Sequence, residues 1–177
     1  PDTQNGGGQV TDCYFEYGTS DSYGQTAPCL PATPYDEPTA VSAELEGLTP
    51  GTTYHFRVVA ENADGSSQGE DRTFTTPGPP AIDALAPLPQ TTRAEVKAQI
   101  NPFGLETECE MEWVSDADHA STGFANAESM PCSPASLEPG FGKRMVRAKI
   151  TGLEPDTTYH YRFVARNDGG TTTSAER

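Results

Sequence analysis

Leu153-Glu154-Pro155-Asp156-Thr157-Thr158-Tyr159-His160-Tyr161-Arg162-Phe163-Val164-Ala165-Arg166-Asn167 decides the fold, because the chain contains it twice. Leu48-Thr49-Pro50-Gly51-Thr52-Thr53-Tyr54-His55-Phe56-Arg57-Val58-Val59-Ala60-Glu61-Asn62 lies 105 positions upstream and is identical at ten of fifteen positions. A period that long is a domain rather than a turn of a solenoid. In Leu-x-Pro-x-Thr-Thr-Tyr the proline presets a turn, and a strand follows. Alternate side chains of a strand share a face, so Tyr159, Tyr161, Phe163 and Ala165 form an apolar row. His160, Arg162, Val164 and Arg166 form the opposite one.

The repeat divides the 177 residues into domains at 1–76 and 77–177, and a full repeat of roughly 100 residues is large enough to bury a core of its own, which residues 1–76 by themselves are not expected to do. A hydrophobic content of 34% suits thin sheets with polar outer faces, and 17 glycines with 16 prolines supply many turns. The net charge is −15, with 12 acids and 2 bases in residues 1–76 against 14 and 9 in 77–177. Such a surface repels phosphate backbones and anionic lipid, which excludes nucleic acid as a partner. No apolar run approaches the roughly 18 residues that span a bilayer, and no signal peptide opens the sequence, so membrane insertion is not expected.

Cys13 and Cys29 fall in the first repeat, Cys109 and Cys132 in the second. Four cysteines allow three pairings, and domains that fold separately favour Cys13 with Cys29 and Cys109 with Cys132. Each pair starts in a strand and ends in a Pro-rich loop, Ala27-Pro28-Cys29 or Met130-Pro131-Cys132. No Cys-x-x-Cys supplies the close ligand pairs of a structural zinc site. Disulfides imply an oxidising, extracellular setting.

Other segments repeat as well. Asn5-Gly6-Gly7-Gly8 reads as a turn into an alternating strand with Cys13, Phe15 and Tyr17 inward; Asn101-Pro102-Phe103-Gly104 leads likewise to Cys109, Met111 and Trp113. Thr39 to Leu45 alternates with Val41, Ala43 and Leu45 inward, matched by Val146, Ala148 and Ile150. A longer offset at the later segments places an insertion in the second repeat, assigned to Gly123 to Lys143. Thr76-Pro77-Gly78-Pro79-Pro80 is a stiff linker, which predicts an end-to-end arrangement of the domains. The first repeat has no counterpart of the edge strand near Ile82 or of Ala94, Val96, Ala98 and Ile100. The second stops at Ser174 to Arg177, short of a match for Arg72 to Thr75.

The Leu48-x-Pro50-x-x-x-Tyr54 and Leu153-x-Pro155-x-x-x-Tyr159 patterns resemble the tyrosine corner of Greek-key sandwiches, whose hydroxyl bonds back to the corner backbone. With the Ala-x-Asn endings at Asn62 and Asn167, the chain resembles tandem fibronectin type III domains. Phe15-Glu16-Tyr17-Gly18-Thr19 is similar to the bacterial extracellular branch. The resemblance implies an all-β fold of immunoglobulin-like Greek-key sandwiches, with the first domain incomplete at its N-terminus and the second at its C-terminus. It departs from the family pattern at Ile100, where a tryptophan is usual, and in its cysteines. It also implies an extracellular structural or adhesive repeat of a surface protein or filament, whose partners are neighbouring repeats or subunits. The alternative is a spacer or accessory module of a secreted polysaccharide-degrading enzyme, with polysaccharide as the ligand and Tyr14, Tyr23 and Tyr35 as the candidate aromatic platform.

Residues with catalytic potential give no assembled site in the sequence. His55 and His160 occupy equivalent outward positions beside Arg57, Arg162 and Arg166, which disfavours a cation. Glu108, Glu110 and Glu112 alternate on one face and are expected to pair with those arginines across strands. Asp116-x-Asp118-His119 lacks the glycine and distal glutamate of a calcium loop. There is no nucleophile elbow and no Gly-rich phosphate loop. The sequence therefore predicts no catalytic residue, no metal and no cofactor.

Overall fold

The computed structural model describes residues 8–177, and the chain divides into two compact units, residues 1–76 and 77–177. Of the turn expected at Asn5-Gly6-Gly7-Gly8, only Gly8 lies among the described residues. As expected, the fold is all-β.

The first unit is a five-stranded antiparallel sheet of β1 (Asp12–Gly18), β2 (Gln25–Pro28), β3 (Thr53–Asn62), β4 (Gly65–Gln68) and β5 (Arg72–Thr75). β3 pairs with β1 on one side, and on the other with β4 and β5, which follow one another along it as an interrupted strand. Cys13, Phe15 and Tyr17 of β1 are buried, as their alternation requires. Thr39 to Leu45 alternates in exposure as expected, but it does not form a strand: its tie is an isolated bridge between Leu30 and Ser42. No strand lies along its other edge among the described residues, so no ladder holds it extended.

The second unit has two layers. One contains β9 (Thr107–Ser115), β10 (Glu128–Leu137), β12 (Tyr159–Asn167) and β13 (Gly170–Thr173), in the order β13-β12-β9-β10. The other contains β6 (Ala81–Ala84), β7 (Leu88–Pro89), β8 (Arg93–Asn101) and β11 (Arg144–Thr151). β10 passes between them, pairing with β9 along most of its length and with β11 at Ser133 and Arg147. The inward rows of both layers interlock: Val96, Ala98 and Ile100 from β8 and Val146, Ala148 and Ile150 from β11 meet Met111, Tyr161, Phe163 and Ala165. The Tyr161 hydroxyl crosses the sandwich and donates to the Leu85 carbonyl at 3.1 Å.

Three expectations about the second repeat change. The insertion lies mostly before Gly123. The cysteines are 16 residues apart in the first unit and 23 in the second, and the difference equals the seven-residue helix α1 (Asp116–Thr122). Alternation carries no signal for so short a helix; it starts where Ser115 accepts a hydrogen bond from the Asp118 amide and donates its own hydroxyl to the Asp118 carboxylate. Cys132, assigned to a loop, lies within β10, because Met130 and Pro131 pair with Met111 and Glu110 despite the prolines on either side of Cys132. At the C-terminal end, Arg177 exchanges backbone hydrogen bonds with Tyr161. That is the position Arg72 takes opposite Phe56, so the final strand has begun.

Candidate functional site

The disulfides come first, because they fix β1 and β9. Cys13 bonds to Cys29 and Cys109 to Cys132, with Cα separations of 5.5 and 5.4 Å, and all four side chains are buried. At the two corners, the Thr49 amide donates to the Tyr54 hydroxyl at 3.0 Å and the Glu154 amide to the Tyr159 hydroxyl at 3.1 Å. Leu48 and Leu153 are half-buried against their cores, while Pro50 and Pro155 stay exposed at the bend. These groups hold a scaffold and have no free chemistry.

The carboxylate row meets the arginines of β12. Arg162 donates to Glu112 at 2.6 Å and Arg166 to Glu110 at 3.1 Å, while Arg57 and Glu16 repeat the pattern at 2.6 Å in the first unit. Register sets Glu108 opposite Arg166.

The aromatic platform does not form. Tyr35 is buried with its hydroxyl on the Pro31 carbonyl; Tyr14 bonds to Glu61 at 3.1 Å, and Tyr23 bonds to Asp71 at 2.9 Å with Arg57 over its ring. All three are tied down by separate partners rather than aligned on one open face.

Two arrangements remain. One is a groove of about 540 Å³ on the first unit, lined by Phe15, Val41, Ala43, Leu45, Phe56 and Phe74. In the second unit the equivalent ground is covered by β8 and β6. Val146, Ala148 and Ile150 pair there with Ala98, Val96 and Ala94, and Val41, Ala43 and Leu45 are the counterparts that have no such strand among the described residues. Phe56 accordingly stays half-exposed where Tyr161 is buried.

The other arrangement is a cluster on the outer face of the second unit. His160 of β12 lies between two carboxylates, with Nε2 2.9 Å from Asp116 Oδ1 and Nδ1 2.8 Å from Glu176 Oε1. His119 of α1 stacks on it, ring centroids 4.2 Å apart, and its Nε2 is 3.2 Å from the same Glu176 oxygen. Phe124 closes on His119 edge-on. The hydrogen bond to Asp116, and after it that to Glu176, hold the His160 pKa above the ordinary imidazole value against partial desolvation. One imidazole nitrogen from each histidine and a carboxylate oxygen lie within 4.8 Å of one another, so His119, His160 and Glu176 could hold a metal ion. The sequence predicts none at His160 on account of the arginines, yet Arg162 turns to Glu112 and to the ring of Phe124. Glu176 was legible: it follows Asp71 by the same 105 positions that separate His160 from His55, and His55 bonds to Asp71 at 2.9 Å. His119 was not, because only the inserted helix carries it there.

Antiparallel sheets and a tyrosine corner in each unit, with a two-layered core in the second, define the class, an all-β immunoglobulin-like fold. Residues 4–76 match the sequence model of the fibronectin type III domain. The chain is 27% identical over 164 residues to mouse fibronectin type-III domain-containing protein 3A, covering 93% of this chain and 12% of that protein. It is 30% identical over 133 residues to mouse usherin, covering 72% of this chain and 2% of that one. To chitinase A1 of Niallia circulans it is 26% identical over 142 residues, covering 77% and 18%. The chain thus spans a small fraction of each of these relatives.

Proposed function

We propose that this chain is a non-catalytic structural or adhesive module of a secreted or cell-surface protein, joined to neighbouring repeats through strand pairing. The open apolar face of the first unit carries this reading. A protein in isolation gains by covering such a face, since burial of apolar area stabilises by about 25 cal/mol per Å². The second unit indicates the occupant: an antiparallel strand of the β8 type, apolar at alternate positions, laid along Thr39 to Leu45. Because β8 runs directly into β9, the equivalent strand comes from polypeptide N-terminal to β1. Its apolar row would fill the groove while its backbone completes the ladder at Val41, Ala43 and Leu45. The two disulfides support an oxidising compartment, and among the described residues no helix is long and apolar enough to cross a membrane.

Hydrogen exchange on the chain with an added peptide of the β8 sequence, Arg93–Asn101, tests the reading. Amides of Val41, Ala43 and Leu45 should gain protection relative to the 177-residue chain alone. Equal exchange in both would overturn it. The accessory-module reading draws on the similarity to chitinase A1, but the separate tethering of Tyr14, Tyr23 and Tyr35 weighs against it. Retention of the folded chain on chitin beads would favour it over the structural role.

A further inference from the structure

We propose that His119, His160 and Glu176 form a zinc(II) site, with Asp116 as the outer carboxylate that orients His160. The argument begins with what the two units share. His55 with Asp71 and His160 with Glu176 occupy the same repeat positions, and in the first unit the pair is an ordinary cross-strand contact, joined by Tyr23. A second copy of that contact needs no metal. What the second unit adds is α1, and the helix delivers two further groups to the same imidazole: His119 on its face and Asp116 on its far nitrogen.

The donor set fits zinc. Imidazole nitrogen and carboxylate oxygen bind it at about 2.0 to 2.2 Å, and tetrahedral geometry then spaces ligand atoms by roughly 3.3 Å. The observed separations from Glu176 Oε1 are 2.8 Å to His160 Nδ1 and 3.2 Å to His119 Nε2. Calcium and magnesium prefer oxygen alone, which two imidazoles do not offer. With a proton on Nε2 donated to Asp116, Nδ1 would offer its lone pair to the ion, which would take the place of the proton that Nδ1 shares with Glu176; such a carboxylate behind a ligating histidine is the usual outer partner of zinc. Charge points the same way. The Glu176 and Asp116 carboxylates beside the two rings supply the negative charge that attracts a divalent ion. Three protein ligands leave a fourth position for water or for a side chain of a docked protein. The ion would tie α1, β12 and the final strand together at three points distant in sequence.

The test is titration of the complete, disulfide-bonded chain with zinc chloride, followed by calorimetry and thermal unfolding, and with cobalt chloride, followed by its visible spectrum. One zinc per chain, a rise in Tm and the absorption of four-coordinate cobalt are expected. His119→Ala and His160→Ala should each abolish the cobalt spectrum. Asp116→Asn keeps all three ligands and should weaken zinc by about tenfold or more, as loss of an outer carboxylate does. His55→Ala should leave zinc binding unchanged. Asp116 and Glu176 are exposed and His119 and His160 half-buried outside the core, so circular dichroism should show each variant folded. No zinc-dependent change in Tm, or binding that survives both His119→Ala and His160→Ala, would overturn the site.

Discussion

Tyr54 and Tyr159 do the same job with unequal consequences. Both hydroxyls accept a backbone amide from their corner, and Thr49 and Glu154 are both exposed, but Tyr54 is 6% exposed while Tyr159 is half-exposed, so the Thr49–Tyr54 bond is partly buried and the Glu154–Tyr159 bond is open to water. Removing the hydroxyl of Tyr54 strands the Thr49 amide beside a buried ring, whereas water can reach the Glu154 amide. Tyr54→Phe should therefore cost about 1 to 3 kcal/mol and Tyr159→Phe about 1 or less, measured by urea denaturation of each variant. Equal losses would show that burial does not govern the corner. Asp71 supplies a pH prediction. The hydrogen bond from His55, then that from Tyr23, hold its carboxyl below the usual range despite partial desolvation. A depressed carboxyl stabilises the fold above its unfolded pKa, near 4, and that contribution disappears as pH falls through the folded value. The urea midpoint of wild type should thus exceed that of Asp71→Asn at pH 5.5, and the gap should close as the pH is taken well below the unfolded value.

Among the elements, the β1–β2 hairpin depends on one glycine. A Cβ on Gly18 would lie 2.0 Å from the Tyr23 carbonyl oxygen, a backbone atom that cannot swing aside without opening the hairpin. Tyr23 itself has φ +56°, so the turn is already held in an uncommon conformation. Gly18→Ala should destabilise by about 1 to 3 kcal/mol, the cost of overpacking, and denaturant melts of the variant would show it. The β9–β10 link is the disulfide Cys109–Cys132, which closes a loop of 23 residues. Replacing both cysteines by alanine should lower stability by about 3 kcal/mol in the chain-entropy model. The longer loop admits α1, which creates the histidine cluster. One inserted helix thereby changes a structural contact into a candidate ligand set.

For the molecule as a whole, the two units differ in how much core they own. Among the described residues, the second has one continuous cluster of thirteen buried residues, whereas the first has two small ones, of seven and three. The side chains that close the second unit's core, Val96, Ala98 and Ile100, have no counterpart in the first among the described residues. At about 1.5 to 3 kcal/mol for each larger side chain fully buried, that absence approaches the 5 to 15 kcal/mol by which a domain is stable. A fragment of residues 77–177 should unfold in one sharp transition, and a fragment of residues 1–76 should show weak amide protection throughout. A cooperative melt of the shorter fragment would refute the strand pairing proposed for the groove.

The sequence by itself determined the fold class, the two repeats, the inward rows of β3, β8, β9 and β12 and the arginine–glutamate ladder. The inward rows follow from a period of two along a strand and the repeats from self-similarity along the chain, while the fold class and the neighbouring of β9 and β12 that makes the ladder are what the resemblance to fibronectin type III domains implies. It also determined that Glu176 repeats Asp71. Only the tertiary structure decided that Thr39 to Leu45 lacks a ladder, because a strand is made by its neighbour and alternation is silent about whether the neighbour is there. The same holds for Tyr14, Tyr23 and Tyr35, whose exposure was decided by the partners Glu61, Asp71 and the Pro31 carbonyl rather than by position. The joining of His119 to His160 was beyond the sequence for a further reason. A helix of two turns leaves no periodicity to read, and its direction is set by a cap and a hairpin whose geometry exists only once β9 and β12 have paired.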